Sequence, residues 1–233
     1  MGLLGGSTSY MVYVLPALLL SMLAQMWVQS AYRKYLQVPN GAHLTGMDVA
    51  QRIMAYTGLQ LKVENTPGTL TDHYDPRSKT LRLSPGVAKQ PSIASLAIVA
   101  HELGHAQQDA NAFSLLKLRS GLVPMVNFTS RIGPILFLAG LLLRIYDLAW
   151  IGVFCFAGAV LFSLITLPVE LDASRRAMVL LDKTGIITGA EERRGARTVL
   201  TAAALTYAAA LAQSLSTLFY YTSILGGGRR RRG

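Results

Sequence analysis

Between Tyr10 and Gln29 the chain runs for twenty residues without a charged side chain. At a rise of about 1.5 Å per residue, a helix of that length crosses a hydrocarbon core of about 30 Å. Unpaired backbone groups are too costly in hydrocarbon for such a run to be anything but helical. Arg33 and Lys34 follow at once and mark the cytoplasmic headgroup side, so the N-terminus is expected outside. The block lacks a basic region ahead of it and is too long for the apolar core of a cleavable signal. Residues 1–34 therefore read as a permanent transmembrane anchor.

Two more apolar blocks follow at a distance. Val123–Leu143 contains Asn127, Arg131 and Pro134. Arg131 is close enough to the block's entry to snorkel, and Pro134 is expected to kink the helix. Arg144–Asp147 reads as a tight external turn, and Leu148–Val169 returns through the bilayer, making 123–169 a transmembrane pair. A segment over 170–198 is polar again. Residues 199–233 hold a fourth, Ala- and Ser-rich block, Val199–Leu225, and the tail Arg229–Arg232. The segments 33–121 and 170–198 carry ten and six Lys/Arg against one in 144–147. That asymmetry puts both segments in the cytoplasm. Four spans would leave the arginine tail outside, against the same rule; a re-entrant or interfacial fourth block would not, and the sequence leaves both open.

Charged residues make up 15% of the chain, against about 25% in soluble domains. A net charge of +10 invites a nucleic-acid partner. The basic residues flank apolar blocks, however, and aromatics do not stand in tandem on a basic sheet as single-strand binding needs. The partners implied are a lipid bilayer and no nucleic acid. The single cysteine, Cys155, excludes an intrachain disulfide and a Cys-rich zinc site.

Residues 35–122 are polar enough for a small α+β unit. Thr45–Asp48 resembles a capping box that opens an amphipathic helix ending at Gly58. Leu59–Val63 alternates as a strand does. Leu70–Asp75, the turn 76–79 and Thr80–Ser84 read as strand, turn, strand, giving a small antiparallel sheet. Phe113–Leu122 is expected to be an interfacial connector.

Within this unit Pro91–Asp109 forms one helix with Ser92 as N-cap. Its core reads His101-Glu102-Leu103-Gly104-His105. Histidines one turn apart project from the same face and can share one zinc ion. Glu102 is placed beside them to act as general base on water. A solvated face would also tolerate two histidines, but not so readily half of the chain's four in one turn. Catalytic zinc takes three protein ligands. His43, His73 and several carboxylates are available, and Glu170 is the best candidate. It emerges from the third span on the same side as His101, with two spans between them.

The stretches H-E-L-G-H-A-Q-Q, L-T-D-H-Y-D-P-R-S-K-T-L-R-L-S and P-V-E-L-D-A-S-R-R-A together resemble the YugP-type neutral zinc metallopeptidases of the membrane, in order and over nearly the whole chain. The chain is similar, more distantly, to the heat-shock membrane proteases and CAAX-prenyl endoproteases, which carry H-E-x-x-H, two membrane helices and then E-x-x-A-D. The resemblance implies Glu170 as a metal ligand and matches Ala173. Ser174 stands where that pattern has Asp, and nearby Asp172 either holds a zinc histidine in its tautomer or caps the helix.

The expectation is a mainly α membrane protein of three to four transmembrane helices with a small zincin-like cytoplasmic unit. It would hold one Zn2+ per chain on His101, His105 and Glu170, with Glu102 as base, and cleave polypeptides, membrane proteins above all, at the cytoplasmic face. Asp172, Ser174, His73 and Tyr74 are candidates for supporting or substrate-binding roles. Thr80–Ser84 is expected to be the sheet edge that a substrate strand would join, while Asp72 and Asp75 serve equally well as turn formers. The competing reading is a zinc-stabilised membrane scaffold without catalysis; an intact Glu102 argues against it.

Overall fold

A computed structural model describes residues 3–229, with side chains described over 11–226. The protein is mainly helical, with a three-stranded sheet. Among the described residues, four helices are long and apolar enough to cross a membrane: α1 (Leu3–Leu36), α5 (Ser114–Leu142), α6 (Tyr146–Lys183) and α7 (Ala190–Arg229). The fourth apolar block is thus part of a candidate span. Apart from the backbone of Arg229, the arginine tail lies outside the described residues.

Two compact units divide the chain. One comprises Gln25–Lys117 and Pro168–Leu205; the other comprises residues up to Ala24, Leu118–Leu167 and residues from Thr206 onward.

The first unit is built on α2 (Gly46–Thr57), α3 (Pro85–Lys89), α4 (Ile93–Ala110) and the sheet. Thr45 Oγ1 accepts from the Asp48 N–H at 3.2 Å, and Asp48 Oδ2 accepts from the Thr45 N–H at 2.9 Å. That reciprocal pair satisfies two of the donors a helix start leaves orphaned. Gly58 ends α2 at φ +72°, where a side chain would be strained. Val49, Ile53, Leu81, Leu83, Val87, Leu96, Val99 and Leu103 are fully buried in one core. Leu96, Val99 and Leu103 fall at helical spacing, so α4 turns one apolar face onto the sheet and α2.

The strands depart from the expected sheet. β1 (Lys62–Asn65), β2 (His73–Asp75) and β3 (Thr80–Leu83) lie in the order β1-β3-β2. β1 runs parallel to β3, with Val63 opposite Leu81, and β2 runs antiparallel to β3, with Tyr74 opposite Leu81. The sheet is therefore mixed, not antiparallel. The segment between β1 and β3 brings the chain back to the end where β1 began, which a hairpin cannot do. Thr80–Leu83 is the central strand, so the expected edge is instead paired on both sides; β1 and β2 are the edges. Leu70, the expected start of the second strand, has φ +57°, outside the extended region, and β2 is three residues long.

The expected connector over 113–122 is helical from Ser114, one continuous helix with the apolar block behind it. Pro134 lies inside α5 and Pro168 inside α6 without ending either. Prolines are tolerated in membrane helices because neighbours re-satisfy the freed carbonyl.

In the other unit α5 and α6 pack through small residues. A Cβ on Gly152 would meet backbone atoms of Phe137 and Gly133 at 2.5 and 2.6 Å, so the two backbones touch where glycine stands. Close approach of this kind drives helix association in lipid, where apolar burial offers no gain. Phe137 stacks on Tyr221 of α7 with ring centroids 4.1 Å apart. Ser21 of α1 donates to Gln213 Oε1 of α7 at 2.7 Å, a polar pair inside otherwise apolar helices.

Candidate metal centre

Helix α4 starts where Ser92 Oγ accepts the Ser95 N–H at 3.1 Å. From that fixed start its third turn brings His101 and His105 onto one face. Their rings meet edge to face with centroids 4.8 Å apart. Both Nε2 atoms point at one carboxylate oxygen: Glu170 Oε2 lies 3.2 Å from that of His101 and 3.4 Å from that of His105. Glu170 is 1% exposed. Among the described residues, these three form the one cluster able to hold a metal, with ligand atoms within 4.8 Å of one another.

The approach of α4 to α6 depends on Gly104, between the histidines. A Cβ there would lie 2.6 Å from the carbonyl oxygen of Ala173. Gly104 and the buried Ala173 let the two backbones touch, and Glu170, one turn before Ala173, is carried up to the histidines.

Glu102 is turned into the same neighbourhood. Its Oε2 accepts the Tyr74 N–H at 2.9 Å. Because β2 is an edge strand, this main-chain donor is free to leave the sheet and fix the carboxylate. Burial pushes the Glu102 carboxyl above its ordinary range, against the lowering effect of the two imidazoles.

The remaining candidates are distributed around this group. Ser174 Oγ lies 3.2 Å from His101 Nδ1. Asp172 Oδ1 accepts from Arg175 at 2.5 Å, and its Oδ2 accepts from Arg176 at 2.6 Å and from Gln108 Nε2 at 3.0 Å. The Tyr74 hydroxyl donates to Asp109 Oδ2 at 2.7 Å, beside Lys79, so only its backbone reaches Glu102. His73 is exposed, with Nδ1 2.8 Å from the Thr71 carbonyl oxygen, and His43 is exposed in a turn. Neither joins the cluster. Asp72 accepts from the Ser84 N–H at 2.6 Å and the Ser84 hydroxyl at 3.0 Å, which ties the loop to the start of α3.

Two parts of the arrangement went unread in the sequence. The Tyr74 N–H left no trace, since any residue supplies one. Gln108 did leave a signal: it stands three residues after His105 on the same helix face. It is fully buried, and its Oε1 lies 3.0 Å from His105 Nδ1.

Two imidazole nitrogens and one carboxylate oxygen, converging with His105 and Glu170 buried and His101 half-buried, suit zinc in its catalytic form, which takes three protein ligands and keeps a further position open. A carboxylate as buried as Glu170 is stable only when paired or bound to a cation, and the histidine nitrogens are turned toward it. The residues present fit the metal.

The family described as "Putative neutral zinc metallopeptidase" matches residues 10–226. The chain is similar to a protein of Bacillus subtilis (strain 168) named "Putative membrane protease YugP". The two are 43% identical over 210 residues, covering 90% of this chain and 93% of that protein. No solved structure matches. With the family match spanning all four candidate membrane spans and the whole of the candidate metal cluster, this chain belongs to the neutral zinc metallopeptidase family.

Proposed function

We propose that this protein is a membrane-embedded zinc endopeptidase that hydrolyses peptide bonds of membrane or membrane-associated polypeptides at the cytoplasmic face. The observation that carries the reading is the convergence of His101, His105 and Glu170 beside a carboxylate, Glu102, that is itself fixed by the Tyr74 N–H.

His101, His105 and Glu170 would hold one zinc per chain. Zinc bound there supplies a Lewis acid that polarises the scissile carbonyl and makes water acidic enough to attack near neutral pH. Glu102 takes the proton of the attacking water and returns it to the leaving amine. Burial raises the proton affinity of Glu102, the direction that helps a carboxylate accept the proton before handing it to the leaving group. Ser174 and Asp172 support the site from behind the ligands.

The name of the Bacillus subtilis relative, a membrane protease, supports membrane-associated substrates. The Lys/Arg excess flanking the apolar helices supports the cytoplasmic orientation.

Glu102→Gln tests the mechanism. The purified variant should keep about one zinc per chain and lose cleavage of an unfolded membrane protein. Full activity in it would sink the peptidase mechanism. Glu170→Ala should lose the metal; an unchanged zinc content there would move the third ligand elsewhere. A zinc-loaded wild type without hydrolytic activity on any unfolded substrate would favour the scaffold reading.

A further inference from the structure

Among the described residues, Gln108 is the one fully buried polar side chain that touches a histidine of the candidate metal site without being part of the ligand cluster. Its amide has two ends, and the surroundings leave no choice in how it is oriented. One end faces the Val169 carbonyl oxygen at 2.9 Å and Asp172 Oδ2 at 3.0 Å. A carbonyl and an ionised carboxylate only accept, so the NH2 group must stand there. Asp172 is kept ionised in that place by Arg175 and Arg176.

The other end of the amide is therefore the oxygen, and it faces His105 Nδ1 at 3.0 Å. An amide oxygen only accepts, so Nδ1 must carry the proton. A neutral imidazole has one N–H, which leaves Nε2 with its lone pair. That atom faces Glu170 Oε2 at 3.4 Å. His101 has no such instruction: its Nδ1 meets the Ser174 hydroxyl, which donates or accepts equally well.

We infer that Gln108 is a positioning residue: backed by Val169 and Asp172, its amide oxygen holds His105 in the tautomer that turns the Nε2 lone pair toward the metal position. This rests on the zinc reading proposed above. It also gives Asp172 a role at one remove, orienting Gln108 and touching neither histidine.

The test is a zinc competition titration against a chromophoric chelator, on the full-length protein in detergent, comparing wild type, Gln108→Met and Ser174→Ala. Methionine keeps the length of the side chain and removes the acceptor. Gln108→Met should weaken zinc binding about 10- to 100-fold, the usual cost of losing the hydrogen-bond partner of a metal-bound histidine. Ser174→Ala should cost less. Zinc affinity in Gln108→Met equal to that of wild type overturns the inference and leaves the zinc site standing. A wild type that binds no zinc overturns both.

Should Gln108→Met fail to fold, wild type decides the matter. The chain has four histidines, so 15N-histidine labelling of the zinc-loaded protein gives an assignable spectrum. A proton on His105 Nδ1 is the expected result; a proton on Nε2, or metal on Nδ1, overturns the inference.

Discussion

Gly104→Ala is the smallest change that should separate metal binding from folding. A Cβ at this position would lie 2.6 Å from the Ala173 carbonyl oxygen, and ordinary contact begins at 3.4 Å. The helices must then part by about 0.8 Å, because the obstacle is backbone and no side chain can swing away. Overpacking of this kind costs about 1–3 kcal/mol, while alanine in place of glycine returns about 1 kcal/mol of helix propensity. The net loss of stability is thus about 2 kcal/mol at most. Metal–ligand distances, by contrast, tolerate only about 0.2 Å. Glu170 sits one turn from the point where α6 is pushed back. The variant should remain folded and lose zinc affinity by about 100-fold or more, beyond the cost of an outer hydrogen bond. Chelator competition gives the affinity, and thermal unfolding of the metal-free protein gives the stability. Zinc affinity within about threefold of wild type would refute the argument that this contact sets the ligand geometry.

Thr45→Ala removes the side-chain acceptor of the α2 capping box and should lower stability by about 1 kcal/mol, read from chemical denaturation without change in zinc content. Ile53→Ala opens a cavity in a fully buried part of the core and should cost about 2–5 kcal/mol, seen as a large fall in melting temperature. The Asp75 carboxyl is held down to about 2, first by the Ser78 hydroxyl and the Arg77 N–H and then by Arg82. A lowered carboxyl adds stability above its unfolded value of about 3.9 and loses it as pH falls through the folded value. The stability gap between wild type and Asp75→Asn should therefore be constant above about pH 5 and be lost progressively down to about pH 1. A gap unchanged across that window would count against the turn's hydrogen bonds.

Features set by neighbouring residues were legible in the sequence. The Thr45 box, the Ser92 cap and the one-turn spacing of His101 and His105 each depend on a few adjacent positions, and their chemistry is visible at that range. Glu170 required a longer argument, that two spans return the chain to the side it left. The sheet was harder. A strand's residue pattern reports which face is buried but not which strand lies beside it. Neither Val63 nor Leu81 carries a sign of their parallel pairing, and the positive φ of Leu70 is invisible in a leucine. The helical stretch from Ser114 was obscured because Lys117 and Arg119 look like the end of something, whereas a helix leaving the membrane surface carries charges without ending. In the sequence Gln108 figured only as a letter of the H-E-L-G-H-A-Q-Q stretch; its buried contact is made by α6, far along the chain.

The Tyr74 N–H that fixes Glu102 belongs to the main chain, so it is indifferent to which side chain stands at position 74. Drift there can alter the Asp109 contact and leave the carboxylate held. What the arrangement cannot survive is a change of phase. Successive N–H groups of a strand point to opposite edges, so sliding β2 past β3 by one residue would aim the Tyr74 donor into the sheet and leave Glu102 facing a different group. Proline at position 74, which has no N–H to give, would do the same without any slip. The pairing register of a three-residue strand thereby becomes a setting of Glu102, the proposed base. The segment that fixes that register, the Asp75–Lys79 turn with its Ser78, Arg77 and Arg82 ties, thus sets the hold on a carboxylate it never touches.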